Sequence, residues 1–89
     1  MPSVDITITN KLGLHARASA KLTQLASKFK CEIFIARGSR RVNAKSIMGV
    51  MMLAAGLGTT VTVDAEGADA DRALEEIVAL FNDKFGEGS

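Results

Sequence analysis

Strict alternation of apolar and polar residues marks two segments of the chain, residues 4–9 and 60–65. In both, every second side chain is apolar: Val4, Ile6, Ile8, Val61 and Val63. Successive side chains of a strand point to opposite faces, so this spacing predicts two β-strands with one apolar and one polar face. Because a sheet with one polar face is usually antiparallel and covered on one side only, all helices should pack on the same side.

Two longer segments, 16–29 and 69–84, repeat their apolar residues at helical spacing. The predicted inward residues are Ala18, Leu22, Leu25, Ala26 and Phe29 in the first, and Ala70, Ala73, Leu74, Ile77, Phe81 and Phe85 in the second. A shorter helix is expected from about 47 to 54, ending near Gly56 and Gly58. The tail, residues 86–89, is expected to fray.

Between the first two helices, residues 31–37 and 40–44 favour strands, and Gly38-Ser39 suits a two-residue hairpin turn. The predicted order is therefore β-α-β-β-α-β-α. This order and the one-sided strands indicate an α/β (α+β) open-faced sandwich, in which three helices cover one face of a four-stranded antiparallel sheet. At 89 residues the chain is expected to form a single domain, 1–89.

Composition narrows the function classes. The chain is 47% hydrophobic and 24% charged, as in a soluble globular domain, and we expect neither a secretory signal nor a membrane span. One cysteine, Cys31, and one histidine, His15, without clustered carboxylates, argue against a disulfide framework or a metal site, and no cofactor is expected. Together these features favour a reducing compartment, such as the cytoplasm of a bacterium.

Charge is divided unequally along the chain. Residues 1–45 carry nine Lys and Arg against two acids, a net +7, whereas residues 46–89 carry two bases against eight acids, a net −6. Such a division is typical of a face that meets an anionic partner, unless the fold mixes the two halves. A small nucleic-acid-binding module therefore remains an alternative, although four Phe and no Tyr or Trp make a poor stacking platform for bases.

His15 is the first candidate for chemistry, because it stands where the first loop meets the first helix. Imidazole is a competent nucleophile near neutral pH. A phosphate on His15 would meet the unpaired backbone amides of Ala16 and Arg17, with the Arg17 guanidinium nearby. Gly13 permits an unusual backbone angle just before the site. The alternative is that His15 merely ends the loop at the surface.

The second helix supplies two further candidates. Ser46 precedes it, either as an ordinary N-cap or as a phosphorylation site whose phosphate the helix start would tolerate. The helix has no charged residue and is apolar nearly all round, so burying Val50 and Leu53 leaves Ile47, Met48 and Met51 partly exposed. An exposed, Met-rich surface suggests a docking site for a partner, whereas the alternative is that the methionines fill an irregular core.

Three blocks in order, GLHARAS, VNAKSIMGVMML and GLGTTVTVDAEG, strongly resemble the HPr family over nearly the whole chain. These are the histidine-containing phosphocarriers of the bacterial phosphoenolpyruvate:sugar phosphotransferase system. The resemblance implies that His15 accepts a phosphoryl group on Nδ1 from phosphorylated enzyme I and passes it to sugar-specific IIA domains. It also implies that Arg17 is the active-site arginine, that Ser46 is the target of HPr kinase/phosphorylase in some bacteria, and that the apolar surface docks enzyme I and IIA.

One residue departs from the family pattern, because Ala18 stands where the family usually has proline. Proline early in a helix is tolerated since its missing N–H would be unpaired there, and alanine fits the same place while adding a donor. We expect activity to survive. The substitution leaves open a carrier of the nitrogen-related branch as the alternative within the same class. Either carrier is expected to be a cytoplasmic monomer rather than a free-standing enzyme, with no nucleic-acid partner.

Overall fold

The computed structural model describes residues 2–87 and contains the four predicted strands and three predicted helices. The strands are β1 (Ser3–Thr7), β2 (Glu32–Arg37), β3 (Arg40–Asn43) and β4 (Thr60–Glu66). The helices are α1 (Ala16–Ala26), α2 (Ile47–Met52) and α3 (Ala70–Asn82), and a short 3₁₀ turn at Lys84–Gly86 follows α3. The predicted element order is therefore confirmed.

All neighbouring strands are antiparallel, and their order across the sheet is β1-β4-β2-β3. Arg37 pairs with Arg40, so Gly38 and Ser39 form the predicted two-residue hairpin turn. Side chains alternate along each strand, and the inner row is almost fully buried: Ile6, Ile33, Ile35, Val61, Val63 and Ala65. The helices cover this face, which confirms the open-faced sandwich.

The helices are shorter than predicted. The first ends at Ala26 rather than at residue 29, because the amides of Lys28 and Phe29 bond three residues back, to Leu25 and Ala26, and so tighten the chain into a turn. The second ends at Met52, since Ala54 takes a left-handed backbone angle of φ 49°. The sequence predicted longer helices because the apolar spacing continues beyond the ends of both helices. Apolar residues that follow, among them Phe29, are buried although they are not helical.

The third helix buries the predicted face, and the chain after it remains in the core. Phe85 is 1% exposed and packs edge-on against Phe81, with ring centroids 4.8 Å apart. Gly86 and Glu87, expected to fray, instead lie against the rest of the protein, where Glu87 contacts Asn10 and His15. The rest of the predicted fraying tail, residues 88–89, lies outside the described part of the chain.

Candidate functional site

The loop between β1 and α1 positions His15. Gly13 in this loop has φ 61°, a left-handed angle that glycine adopts without strain. The amide of Leu14 donates to the carbonyl of Ala55 at 2.9 Å, which joins the loop to the segment after α2. A Cβ on Gly13 would lie only 2.5 Å from the Ala55 oxygen, so this close approach of two backbones requires glycine.

His15 is the N-cap residue of α1, with extended backbone angles of φ −70° and ψ 176°. Its side chain does not cap the helix, and the ring instead faces two oxygen atoms. Nδ1 lies 3.0 Å from the Gly13 carbonyl oxygen, and Nε2 lies 3.2 Å from Oε2 of Glu87. The ring thus sits between two acceptors, with 28% of the side chain exposed.

The start of α1 provides unpaired hydrogen-bond donors beside this ring. The first amides of a helix have no partner within it, and within residues 2–87 no backbone carbonyl accepts from those of Ala16, Arg17 and Ala18. The Leu14 carbonyl, four residues before Ala18, instead accepts from Ser19 Oγ at 3.0 Å. The amides and the positive end of the helix dipole favour an anion here.

An open surface depression joins His15 to the predicted arginine. Its lining consists of Lys11, Leu12, His15, Arg17 and Glu87. Arg17 is exposed, and in the described part of the chain its guanidinium forms no ion pair or hydrogen bond, so its donors can meet an incoming anion. The structure therefore brings the predicted residues His15, Ala16 and Arg17 together at one surface.

Two residues of this site were not predicted. Asn10 is 1% exposed, and its Nδ2 donates both to the Gly13 carbonyl at 2.8 Å and to Oε1 of Glu87 at 3.3 Å. Glu87 comes from the opposite end of the chain, and its side chain is only 14% exposed. No local pattern in the sequence joins residues so far apart, and an isolated Asn or Glu carries no chemical signature by itself.

The predicted exposure of α2 is confirmed. Val50 and Leu53 are buried, whereas Met48 is 71% exposed and Ile47 and Met51 are partly exposed. Three further large apolar side chains are exposed, and we call all six the apolar patch: Leu12, Ile47, Met48, Met51, Met52 and Leu57. Leu12 also lines the His15 depression, and α2 packs beside α1, so the patch borders the candidate site.

Ser46 acts as the N-cap of α2, as one of its two interpretations predicted. Its Oγ accepts a hydrogen bond from the amide of Gly49 at 3.2 Å, and its backbone is extended at φ −108° and ψ 111°. The residue is also exposed. A hydroxyl at this position is therefore both a cap and accessible to another protein.

Other polar groups in the described region have structural roles. The carboxylate of Asp69 accepts hydrogen bonds from the amides of Lys30 and Cys31, each at 3.0 Å, and these bonds lower the pKa of Asp69. Burial raises the pKa of the Cys31 thiol, and the adjacent Asp69 carboxylate raises it further. Residues 2–87 contain no group of three or more His, Cys, Asp or Glu side chains that could hold a metal ion. None of their helices has the length and hydropathy needed to span a membrane.

Comparison with known proteins gives concordant matches. Residues 2–83 match the family described as PTS HPr component phosphorylation site. The phosphocarrier protein HPr of Cupriavidus necator is 60% identical over 84 residues, which is 94% of each chain. The phosphocarrier protein NPr of Shewanella violacea is 51% identical over 85 residues, covering 96% of this chain and 93% of the relative.

Solved structures agree with these sequence matches. An HPr from Thermoanaerobacter tengcongensis superposes with a TM-score of 0.94 at 47% identity, over 98% of both chains. A second crystal structure from that organism, described as an HPr dimer, gives a TM-score of 0.79 at the same identity and covers 98% of this chain and 100% of the other.

Proposed function

The chain belongs to the HPr family of phosphocarrier proteins, and from that premise we propose that His15 is the residue that accepts and donates the phosphoryl group. As a member of this family it is a phosphocarrier of the phosphotransferase system and not a free-standing enzyme. Because the chain belongs to this family, a phosphocarrier is preferred to the alternative of a nucleic-acid-binding module.

One observation carries the assignment of His15. The only histidine of the chain lies at the start of α1, beside unpaired amides and in the same depression as the Arg17 guanidinium. When a phosphoryl group is transferred, its charge must be stabilised and the reacting atoms must be aligned, because the protein has little covalent chemistry to perform. The amides of Ala16 and Arg17 supply fixed donors, and the guanidinium supplies a planar, charged pair of donors.

The transfer needs a single nucleophile. The lone pair of Nδ1 attacks phosphorus, a bond from phosphorus to Nδ1 forms, and the bond from phosphorus to the donor breaks with its electron pair remaining on the donor. The reverse sequence, with a new acceptor, empties His15 again. We assign the donor as phosphorylated enzyme I and the acceptors as IIA domains of the sugar branch, following the family.

The apolar patch is the proposed docking surface for both partners. Exposed apolar side chains near a reactive group suit transient contacts, and Met adapts to more than one partner surface. Lys11 and Arg17 line the same depression and would favour acidic partner surfaces, which speeds encounter more than it tightens binding. The protein is proposed to act as a cytoplasmic monomer, although a related HPr has been crystallised as a dimer.

The test is incubation of the purified protein with enzyme I and labelled phosphoenolpyruvate. We expect one phosphoryl group per chain, stable in base and labile in acid, as a phosphoramidate is. His15→Ala should take up no label, while Arg72→Ala, a control on the exposed surface of α3, should label normally. Full labelling of His15→Ala, or base-labile label on the wild type, would exclude His15 as the acceptor.

The nitrogen-related branch is the second candidate, because the NPr of Shewanella violacea is also a close relative and Ala18 departs from the usual proline. The two branches differ in their donor and acceptor proteins. Transfer rates measured with purified enzyme I and IIA of each branch decide between them. Faster transfer within the nitrogen pair would overturn the sugar-branch assignment while leaving His15 as the carrier.

A regulatory role is proposed for Ser46. Its hydroxyl is exposed, and it borders the apolar patch because Ile47 and Met48 follow it directly. Phosphorylation by an ATP-dependent HPr kinase/phosphorylase would add a charge of about −2 at the edge of this patch. The helix start tolerates that charge, but an acidic partner is repelled and the patch becomes harder to desolvate. Incubation with such a kinase and labelled ATP tests the site, with Ser46→Ala as the variant that should remain unlabelled.

A further inference from the structure

Two arginines of the hairpin between β2 and β3 hold the end of α2. Arg37 Nη1 donates to the carbonyls of Leu53 and Ala54, each at 3.0 Å. Arg40 Nη1 donates to the Met52 carbonyl at 2.8 Å. The last carbonyls of a helix have no partner within it, and in the described part of the chain no backbone amide donates to these three. The two guanidinium groups therefore supply the hydrogen bonds that the helix end lacks.

Ala54 has a backbone conformation that needs such support. Its φ of 49° is a left-handed angle, which is strained for a residue with a Cβ and persists only where neighbouring contacts hold it. The two carbonyls that Arg37 bonds belong to the peptide groups on either side of the Ala54 Cα. One guanidinium nitrogen thus holds both peptide groups in the orientation that this angle requires.

The strained turn lies between the apolar patch and the loop of His15. Met52 precedes the turn and Leu57 follows it, and both side chains belong to the patch. The Ala55 carbonyl, directly after the turn, accepts from the amide of Leu14, the residue before His15. The course of the chain through the turn therefore sets how the proposed docking surface is placed relative to the reacting ring.

We propose that Arg37 is a positioning residue for phosphoryl transfer, which holds the turn at Ala54 and so keeps the apolar patch in its docking arrangement beside His15. The proposal rests on the proposed function of His15 and of the patch. Without Arg37, the strain favours an ordinary negative φ at Ala54, and Met52 and Leu57 move with the chain. Only molecules with the left-handed turn then dock productively, so the apparent affinity for enzyme I falls in proportion to their fraction.

Steady-state labelling by enzyme I, with this protein varied as the substrate, measures the effect. In Arg37→Ala we expect KM to rise about fivefold, as it does when the docking-competent fraction falls to about a fifth. The kcat should stay within about a factor of two of the wild-type value, because Arg37 contacts neither the imidazole nor the amides at the start of α1. All variants are compared at a temperature where circular dichroism shows them folded.

A second variant, Ala54→Gly, separates positioning from direct contact with the partner. Glycine adopts a left-handed angle without strain, so the turn no longer needs the bonds from Arg37. Arg37→Ala combined with Ala54→Gly should therefore recover a KM close to that of the wild type. If the guanidinium instead contacted enzyme I, the second change would restore nothing, because the guanidinium would still be missing.

Arg41→Ala is the matched control for charge. Arg41 lies on the same hairpin, but its guanidinium pairs with Asp64 and covers the ring of Phe34, on the face of the sheet that the helices leave open. The variant removes the same charge from the same part of the chain and should keep the wild-type KM.

An unchanged KM in Arg37→Ala overturns the proposal. A raised KM that Ala54→Gly does not restore also overturns it, as does an equal rise in Arg41→Ala, which would show a general charge effect. Failure of the proposed function has a different signature, since it would appear as label on His15→Ala. The coupling between the amide proton and Hα of Ala54 reports φ without any partner, and an unchanged coupling in Arg37→Ala would overturn the proposal independently of labelling.

Discussion

Replacing Gly13 with alanine should both destabilise the domain and displace the candidate site. The backbone angle of φ 61° costs a residue with a Cβ about 1–2 kcal/mol, partly offset by the lower entropy of the unfolded chain. The new Cβ would also lie 2.5 Å from the Ala55 oxygen and 2.6 Å from the Gly56 Cα, so backbone atoms must move apart.

Gly38 provides a matched control for this effect. Its φ of 60° is nearly the same, but an added Cβ there would meet nothing within 4 Å. Gly38→Ala should therefore change the free energy of unfolding by about 1 kcal/mol or less. Gly13→Ala also overpacks the two backbones and weakens the hydrogen bond from Leu14 N to Ala55 O. Together these effects should lower the free energy of unfolding further, by about 2–4 kcal/mol, as expected for overpacking plus a weakened hydrogen bond.

Thermal unfolding followed by circular dichroism measures the difference between the two variants. For a domain of this size, 2–4 kcal/mol corresponds to a gap in melting temperature of roughly 10–30 °C. Gly13→Ala should also accept label from enzyme I more slowly at temperatures where it is folded, because the Gly13 carbonyl that contacts Nδ1 is displaced. Equal melting temperatures for the two variants would refute the argument that close backbone approach requires glycine at residue 13.

Four further predictions concern single side chains. Arg17→Lys keeps the charge but loses the planar pair of donors, so it should transfer phosphoryl groups more slowly than wild type, and wild-type rates in both Arg17→Lys and Arg17→Ala would show that the guanidinium takes no part. Met48→Glu should weaken transfer while leaving the melting temperature within a few degrees, since the side chain is 71% exposed; a large fall would place it in the core. Ser46→Asp should keep the melting temperature, because Asp also caps helices, yet slow enzyme I-dependent labelling, and unchanged labelling would leave Ser46 as a cap only. Hydrogen bonds hold the pKa of folded Asp69 below its ordinary value, so the stability that its carboxylate contributes is complete above about pH 4 and is lost as the pH falls through the lowered pKa. Asp69→Asn should lack this pH-dependent part of the free energy of unfolding, and acid titrations of stability that superpose for the two proteins would contradict the prediction.

The secondary structure was largely predictable because its signals are local. Alternation with period two placed Ile6, Val61 and Val63 on one face of the sheet, and the helical repeat placed Ile77 and Phe81 inward, as the structure has them. Helix ends were less predictable, since apolar residues such as Phe29 can be buried from a turn as well as from a helix. Ala54 ends α2 with a left-handed angle that no propensity of alanine would suggest.

The sequence by itself determined the open-faced fold, the position of His15 at a helix start and the excess of apolar side chains on α2. Each of these follows from residue types at fixed spacing within one segment. Only the tertiary structure decided that Glu87 contacts the imidazole, that Asn10 donates to Glu87, and that Leu12, Met52 and Leu57 extend the apolar patch. The contacts of Glu87 depend on how the chain after α3 returns to the start of α1, and a hydrogen bond between residues so far apart in the sequence leaves no periodic pattern along it.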